Sequence, residues 1–290
     1  VIKAVREVKR AGIQTVMITG DGMETAISIA EECEIYDPTM GHLAVSGETL
    51  HKMTDDEVKA IIPRLRVVSR ALPHDKTRLV RLSQALELVV GMTGDGINDA
   101  PSLKLADVGF AMGSGTDIAK SAADIVILDN SYSAIVKTVL YGRTIFKSIR
   151  KFITFQLTMN FAACGVSLVG QFIGIDTPIT IIQMLWVNII MDTLGGLAFA
   201  GEAPLPYYMK EKPICRNEPI LSRESLRSVF VLGAFTLGIC TLFLTSPIFK
   251  NAFMYSRSPD SFYTAFYALF IFTGIFNCFI TRCERVWILS

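Results

Sequence analysis

The sequence predicts an α/β protein with a doubly wound parallel sheet, followed by an α-helical transmembrane bundle. Short β-branched runs alternate with helical patterns over the first 150 residues, and long apolar runs fill the remainder. The hydrophobic content of 51% is high for a soluble protein, and the excess lies after Phe152. We therefore expect two domains, at residues 1–150 and 151–290.

The first domain alternates between helices and strands. Val1, Val5 and Val8 have helical spacing, and Gly12 is a natural helix end. Strand-like apolar runs follow at residues 15–19, 66–70, 88–92, 108–112 and 125–128. The more polar stretch 41–62 predicts one further short strand and helix. This alternation is typical of a parallel sheet with helices on both faces.

The segment from Met92 to Pro101 predicts a strand, a glycine-containing turn and the start of a helix, where proline is tolerated. Asp95, Asn98 and Asp99 crowd the turn at the carboxyl end of the strand, where α/β sheets bind ligands. Their oxygens suit Mg²⁺ that also coordinates a phosphate. For this segment alone, a solvated turn rich in Asp and Asn is the alternative.

Two other groups of polar side chains follow predicted strands. Thr19, Gly20 and Asp21 offer a hydroxyl and a carboxylate, and Lys76 begins a helix. A hydroxyl, a lysine and an acid pair around Mg²⁺ suit phosphoryl transfer, which depends on positioning and charge stabilisation. Lys76 alone would fit an exposed surface position. The histidines have no evident partners and are expected to be structural or exposed: His42, His51 and His74.

Together these motifs resemble the haloacid-dehalogenase-like phosphorylation domain of P-type cation-transporting ATPases. The resemblance implies an aspartyl-phosphate intermediate, with ATP as the substrate and Mg²⁺ as the cofactor. It implies roles for these residues: Thr19, Gly20, Asp21 and Lys76 at the phosphate, Asp95 and Asp99 at Mg²⁺, and Asn98 and Asp99 in supporting positions.

The nucleophilic aspartate of that family stands in an Asp-Lys-Thr-Gly-Thr segment, which this sequence does not contain. In the family fold the strand that carries it lies in the middle of the sheet. Without that strand, apolar faces and backbone groups lose their partners. We expect the chain alone to be poorly stable and not to be phosphorylated, and its expected partner is the N-terminal part of the same pump.

Four apolar stretches of about 20 residues are long enough to cross a membrane, at approximately 155–175, 179–200, 228–249 and 261–281. Lys and Arg concentrate before the first stretch, between the second and third, and after the fourth. The positive-inside rule therefore predicts that the first domain, the middle loop and the C-terminus are cytoplasmic. Lipid is an expected partner, whereas the net charge of +1 gives no indication of nucleic acid.

Asp192 is the one charged residue in these stretches, and an acid at membrane depth is expected to be functional. Asn188 shares its helical face, and Asn160 lies one turn after Gln156 in the first stretch. Their oxygens suit a hard cation such as calcium, and the glycines at 195–196 would loosen the helix nearby. A polar contact between helices is the alternative, above all for Asn160 and Gln156.

Residues 155–160 and 183–194 resemble the fifth and sixth transmembrane helices of calcium-pumping P-type ATPases. Ala163 and Met191 stand where the sarcoplasmic-reticulum type has glutamate and threonine, which resembles the plasma-membrane type. The resemblance implies calcium transport at the plasma membrane, one ion per cycle. The ion would be held by Asn188 and Asp192, with Asn160, and by an acid from the fourth helix, which this sequence does not contain. Two alternatives remain: a pump for another cation such as manganese, or a truncated, non-catalytic membrane paralogue that binds Mg²⁺ and phosphate.

Overall fold

The computed structural model describes residues 1–175 and 177–283, except for the side chain of Asp192. The chain divides into two compact units. The first consists of Val1–Arg143 and Pro204–Glu218, and the second of Thr144–Ala203 and the chain from Pro219 onward. The loop 204–218 therefore belongs to the first unit, which its position between two apolar stretches does not indicate.

Short strands in the first unit form two three-stranded parallel sheets among the described residues. They are β1 Met17–Ile18, β2 Leu43–Ser46, β3 Leu65–Ser69, β4 Gly91–Gly94, β5 Val108–Met112 and β6 Ile125–Ile127. The strand orders are β1-β3-β2 and β4-β5-β6. The predicted parallel pairing is confirmed, but the strands form two separate three-stranded sheets instead of one. The resemblance implies that the strand this sequence lacks lies in the middle of the family's sheet.

Helices connect these strands. They are α1 Ile2–Arg10, α2 Met23–Glu32, α3 Gly47–Lys52, α4 Asp55–Ile61, α5 Pro73–Ala85, α6 Ala100–Leu105 and α7 Asp117–Ala122. Their starts carry the expected signals: Thr54 and Glu57 form a capping box at α4, and Pro73 stands in the first turn of α5. The helices cover the sheets with apolar side chains such as Leu50 and Leu103, both fully buried.

The second unit is helical. Its helices, with the N-terminal part of the first lying in the first unit, are α8 Tyr132–Phe172, α9 Ile181–Ile190, α10 Gly196–Ala200, α11 Arg223–Thr245, α12 Pro247–Ala252 and α13 Pro259–Arg282. A π-helical turn, Met191–Gly195, joins α9 to α10. Among the described residues, four helical stretches are long and apolar enough to cross a membrane: Tyr132–Phe172, Ile181–Ala200, Arg223–Thr245 and Pro259–Arg282. Their apolar parts match the four predicted stretches within a few residues.

Candidate phosphate, magnesium and ion sites

Asp99 organises the turn that follows β4. It lies in a 3₁₀ turn, Ile97–Asp99, and is buried. Its Oδ2 accepts hydrogen bonds from the backbone N–H groups of Asp95 and Gly96, both at 3.3 Å. A Cβ on Gly94 would lie 2.4 Å from the Cβ of Asp99, so only glycine fits there. Asp99 therefore fixes the shape of the turn from inside.

Lys76 reaches this turn from α5. Its Nζ donates to Oδ1 of Asp99 at 2.5 Å, and the two side chains are 21% and 8% exposed. A charge-assisted hydrogen bond of this kind holds the ammonium in place. The structure thus brings together the lysine and acidic motifs, which the sequence analysis had associated by their suitability for phosphoryl transfer.

Asp95 has a different environment from Asp99. Asp95 and Asn98 are both exposed, and within the described chain neither side chain makes a hydrogen bond or an ion pair. Both oxygens of Asp99 are engaged, by Lys76 and by backbone N–H groups. The donor set therefore fits Mg²⁺ through Asp95, an exposed carboxylate of the kind that magnesium shares with phosphate and water. Asp99 suits the supporting role better than the role of a metal ligand, although its assignment as a ligand stays a prediction.

Thr19, Gly20 and Asp21 form the turn that follows β1. The Thr19 hydroxyl donates to Oδ2 of Asp21 at 2.8 Å and accepts from the Asp21 N–H at 3.1 Å. Backbone hydrogen bonds tie this turn to the end of β3, from Arg70 N–H to the Asp21 carbonyl and from Ala71 N–H to the Thr19 carbonyl. The turn is therefore ordered at the carboxyl end of β1. Its contact with a phosphate stays a prediction.

His51 and His74 are exposed, as expected, but they do have partners, which the sequence analysis did not identify. Nε2 of His51 lies 2.7 Å from Oδ1 of Asp75 and 2.8 Å from Nε2 of His74. His42 stands apart, because its Nδ1 accepts from the Asp37 N–H and burial lowers the pKa of its ring. His74 and Asp75 are neighbours in the sequence, but nothing local indicates that His51 joins them.

The ion-site residues of the second unit lie on α8, on α9 and in the π-helical turn. Asn160 and Asn188 are partly buried, and within the described residues neither side chain makes a hydrogen bond. Asp192 lies in the π-helical turn, and its side chain is outside the described residues. π-helical turns frequently occur at functional sites because they interrupt the regular backbone ladder. The regular α-helix is therefore interrupted beside the glycines at 195–196, and the interruption includes the backbone of Asp192.

Two further polar side chains of the second unit have buried polar atoms, and the sequence pattern did not indicate their environment. Oε1 of Gln156 is buried without a hydrogen-bond partner among the described residues. Asn277 is 4% exposed on α13 and donates to the Thr236 hydroxyl on α11 at 2.8 Å. The sequence analysis gave Asn277 no role, and the structure shows that it links two membrane-length helices.

Known protein families match both the α/β part and the helical part of this chain. A family profile described as cation transporting ATPase, C-terminus, matches residues 176–290. Profiles described as haloacid dehalogenase-like hydrolase match residues 1–107 and 85–139. Plasma membrane calcium-transporting ATPase 3 of Homo sapiens is 39% identical over 296 residues, which cover 95% of this chain. The chain belongs to the P-type cation-transporting ATPases.

Other relatives of this P-type ATPase chain are equally similar. Plasma membrane calcium-transporting ATPase 2 of Oreochromis mossambicus and plasma membrane calcium-transporting ATPase 1 of Gallus gallus are each 39% identical, over 94% of this chain. The chain spans about a quarter of the length of these relatives, from 24% to 26%. The family resemblance drawn from the motifs is thus confirmed. Together with the four membrane-length helices, it makes this chain part of an integral, multi-pass membrane protein.

Proposed function

We propose that this chain supplies part of the phosphorylation site and the ion-binding helices of an ATP-driven calcium pump of the plasma membrane. The observation that carries the proposal is the Lys76–Asp99 pair beside the exposed Asp95 carboxylate. A fixed ammonium beside an available carboxylate suits the binding of phosphate with Mg²⁺. The names of the relatives support calcium as the ion and the plasma membrane as the location.

In the phosphorylation site, this chain binds and orients a phosphoryl group that is carried on an aspartate. That aspartate comes from the N-terminal part of the same pump. The Thr19 hydroxyl and the Lys76 ammonium donate to phosphoryl oxygens. Asp95 would hold Mg²⁺, which neutralises phosphoryl charge when bound. Asp99 holds Lys76 in position, and ATP is the phosphoryl donor.

In the membrane helices, oxygens of Asn160, Asn188 and Asp192 bind one calcium ion per cycle. Calcium requires several oxygen ligands, and the amides of Asn160 and Asn188 are not engaged by other described groups. Ala163 is 3% exposed among apolar side chains, so this position offers no oxygen for a second ion. A manganese pump remains an alternative, because manganese also prefers oxygen ligands.

The test is a chimeric pump in which this chain replaces the matching region of a plasma membrane calcium-transporting ATPase. We expect vesicles that contain the chimeric pump to accumulate calcium on addition of ATP and to form an acid-stable phosphoenzyme. The same vesicles with manganese in place of calcium distinguish the two ions. Failure of both ions to activate phosphorylation in a folded chimera would favour the non-catalytic paralogue.

The variant Asp192→Asn tests the ion site separately from the phosphorylation site. We expect it to lose calcium-activated phosphorylation by ATP, because one charged ligand is removed. Phosphorylation by inorganic phosphate without calcium should persist, since that reaction needs no bound calcium, and it also reports that the variant is folded. Normal calcium activation in this variant would overturn the ion-site assignment.

A further inference from the structure

Three potential metal ligands converge between α3 and the first turn of α5, and none of them contacts the Lys76–Asp99 pair. Nε2 of His51 lies 2.7 Å from Oδ1 of Asp75 and 2.8 Å from Nε2 of His74, and Nε2 of His74 lies 3.6 Å from the same Oδ1. The two imidazole rings are stacked, with their centroids 4.7 Å apart. All three atoms thus lie within 4.8 Å of one another, as the ligands of one small cation would.

Hydrogen bonds alone cannot satisfy all three of these atoms at once. A neutral imidazole nitrogen is either a donor or an acceptor, and not both. When Nε2 of His51 carries the proton for Asp75, it has no lone pair left for a hydrogen bond from His74. When it lacks the proton, its lone pair faces a carboxylate oxygen at 2.7 Å, which is repulsive. A cation between the three atoms is attracted to all of them at once.

The carboxylate of this cluster is fixed and desolvated. Asp75 is 0% exposed, and its Oδ2 accepts the Leu72 N–H at 2.8 Å, which leaves Oδ1 directed at the imidazoles. A buried carboxylate requires a paired charge or several hydrogen bonds. The side chains of His51 and His74 are 36% and 62% exposed, so an ion can enter from solvent and retain water ligands.

We propose that His51, His74 and Asp75 form a binding site for a divalent transition-metal ion, with zinc as its best-suited occupant. Two imidazoles and one carboxylate form a zinc ligand set that leaves a position for water, whereas calcium and magnesium prefer oxygen ligands alone. Ligand atoms of a tetrahedral zinc site lie about 3.3 Å apart, given bonds of about 2.0 Å. The His51 ring would have to move slightly away from its two neighbours, and the His74 ring slightly towards Asp75, to produce that spacing.

The site adjoins the phosphate-binding lysine. Asp75 and Lys76 are consecutive in the first turn of α5, and their side chains are held by different partners, the histidines and Asp99. A bound ion would join α3 to the first turn of α5 and so restrict the part of the helix that carries Lys76. The inference does not depend on calcium transport, because metal binding is measured directly.

The test is spectroscopic titration of the purified full chain with Co²⁺, followed by displacement with Zn²⁺. Imidazole and carboxylate ligands give visible d–d bands without the near-ultraviolet thiolate band that binding to a cysteine would add. This distinction is needed because the chain contains six cysteines. We expect one Co²⁺ bound per chain without the thiolate band. His51→Ala, His74→Ala and Asp75→Asn should each weaken binding at least about tenfold, a typical loss when a ligand shell is disturbed.

His74→Ala is the decisive variant, because His74 is mostly exposed and its loss should leave the chain folded. His42→Ala is the matched control, since His42 lies outside the cluster and should bind no metal. Equal Co²⁺ affinity in wild type, His74→Ala and His51→Ala would overturn the proposal, as would a thiolate band on the bound ion. Loss of binding in His74→Ala, with unchanged binding in His42→Ala and an unchanged circular dichroism spectrum, would support it.

Discussion

The candidate sites of the two units differ in whether their polar side chains have hydrogen-bond partners. In the first unit, Lys76 and Asp99 bind each other, and backbone N–H groups complete the shell of Asp99. In the second unit, Asn160 and Asn188 make no hydrogen bond with described residues, and Oε1 of Gln156 is buried without a partner. One site is therefore assembled before its ligand arrives, and the other retains unsatisfied oxygens.

This difference indicates what each site can bind. A preformed lysine–carboxylate pair is rigid and recognises a phosphate by charge and position. Unpartnered amide oxygens in an apolar bundle have a free-energy cost that a desolvated cation can offset. We therefore expect substitutions in the first unit to affect both stability and chemistry. Substitutions of the unpartnered amides should affect ion binding alone.

The largest effect is expected for Lys76→Met in the chimeric pump. Loss of a charged group that stabilises transferred phosphate should lower the rate of phosphoenzyme formation about 10²- to 10³-fold. The variant should also unfold at a lower temperature, because Asp99 keeps its buried charge without its partner. Rapid-quench phosphorylation and thermal unfolding measure the two effects. Lys104→Met, an exposed lysine on α6, is the control; equal behaviour of the two variants would contradict the role of Lys76.

Asn188→Ala should lower the calcium affinity of the chimeric pump about tenfold or more, since one oxygen ligand is worth at least about 1.4 kcal/mol. Its melting temperature should remain close to that of the wild type, because the amide makes no hydrogen bond that the change removes. Calcium titration of phosphoenzyme formation measures the affinity. Ser167→Ala, on α8, removes only a local hydrogen bond to the Ala163 carbonyl and should leave the affinity unchanged. A large loss of stability in Asn188→Ala would show that the amide is structural.

Gly94→Ala should destabilise the first unit by about 1–3 kcal/mol, the usual cost of overpacking. The new methyl group would collide with Asp99, which must then move away from Lys76. Gly96→Ala is the matched control, since its Cβ would meet Asp99 Oδ2 only at 3.7 Å. Denaturant unfolding of the purified chain measures the difference. Equal stability of the two variants would show that the turn can relax around the extra methyl.

The smallest effect is expected at the surface, for the pH dependence of stability around Asp55. The hydrogen bond from Arg78 lowers the pKa of Asp55 in the folded chain. Its contribution is therefore fully present above the unfolded pKa, about 4, and is lost as the pH falls through the lower, folded pKa. Asp55→Asn should reduce the dependence of the melting temperature on pH below about 4. An unchanged pH profile would mean that the Arg78 contact contributes nothing measurable.

The local architecture of this chain could be predicted well from its sequence. Strands β1, β3, β5 and β6 and the four membrane-length stretches follow from apolar runs. β4 extends beyond its predicted run into the glycine-containing turn, and the more polar stretch 41–62 forms β2 and two helices where one helix was predicted. The alternation of strands and helices also predicted a parallel sheet. These features are determined by residues that are close together in the sequence, so the sequence pattern is sufficient to predict them.

The polar residues that follow strands or lie inside apolar helices can be identified in the sequence without a structure: Thr19, Lys76, Asp95, Asn188 and Asp192. Their contact partners are visible only in the folded chain. Lys76 binds Asp99 across 23 positions, and His51 joins His74 across the same separation, because β3 and the turns around it bring α3, α5 and the turn after β4 together. A hydrogen bond depends on distances of tenths of an ångström between distant residues, and no periodicity in the sequence records such distances.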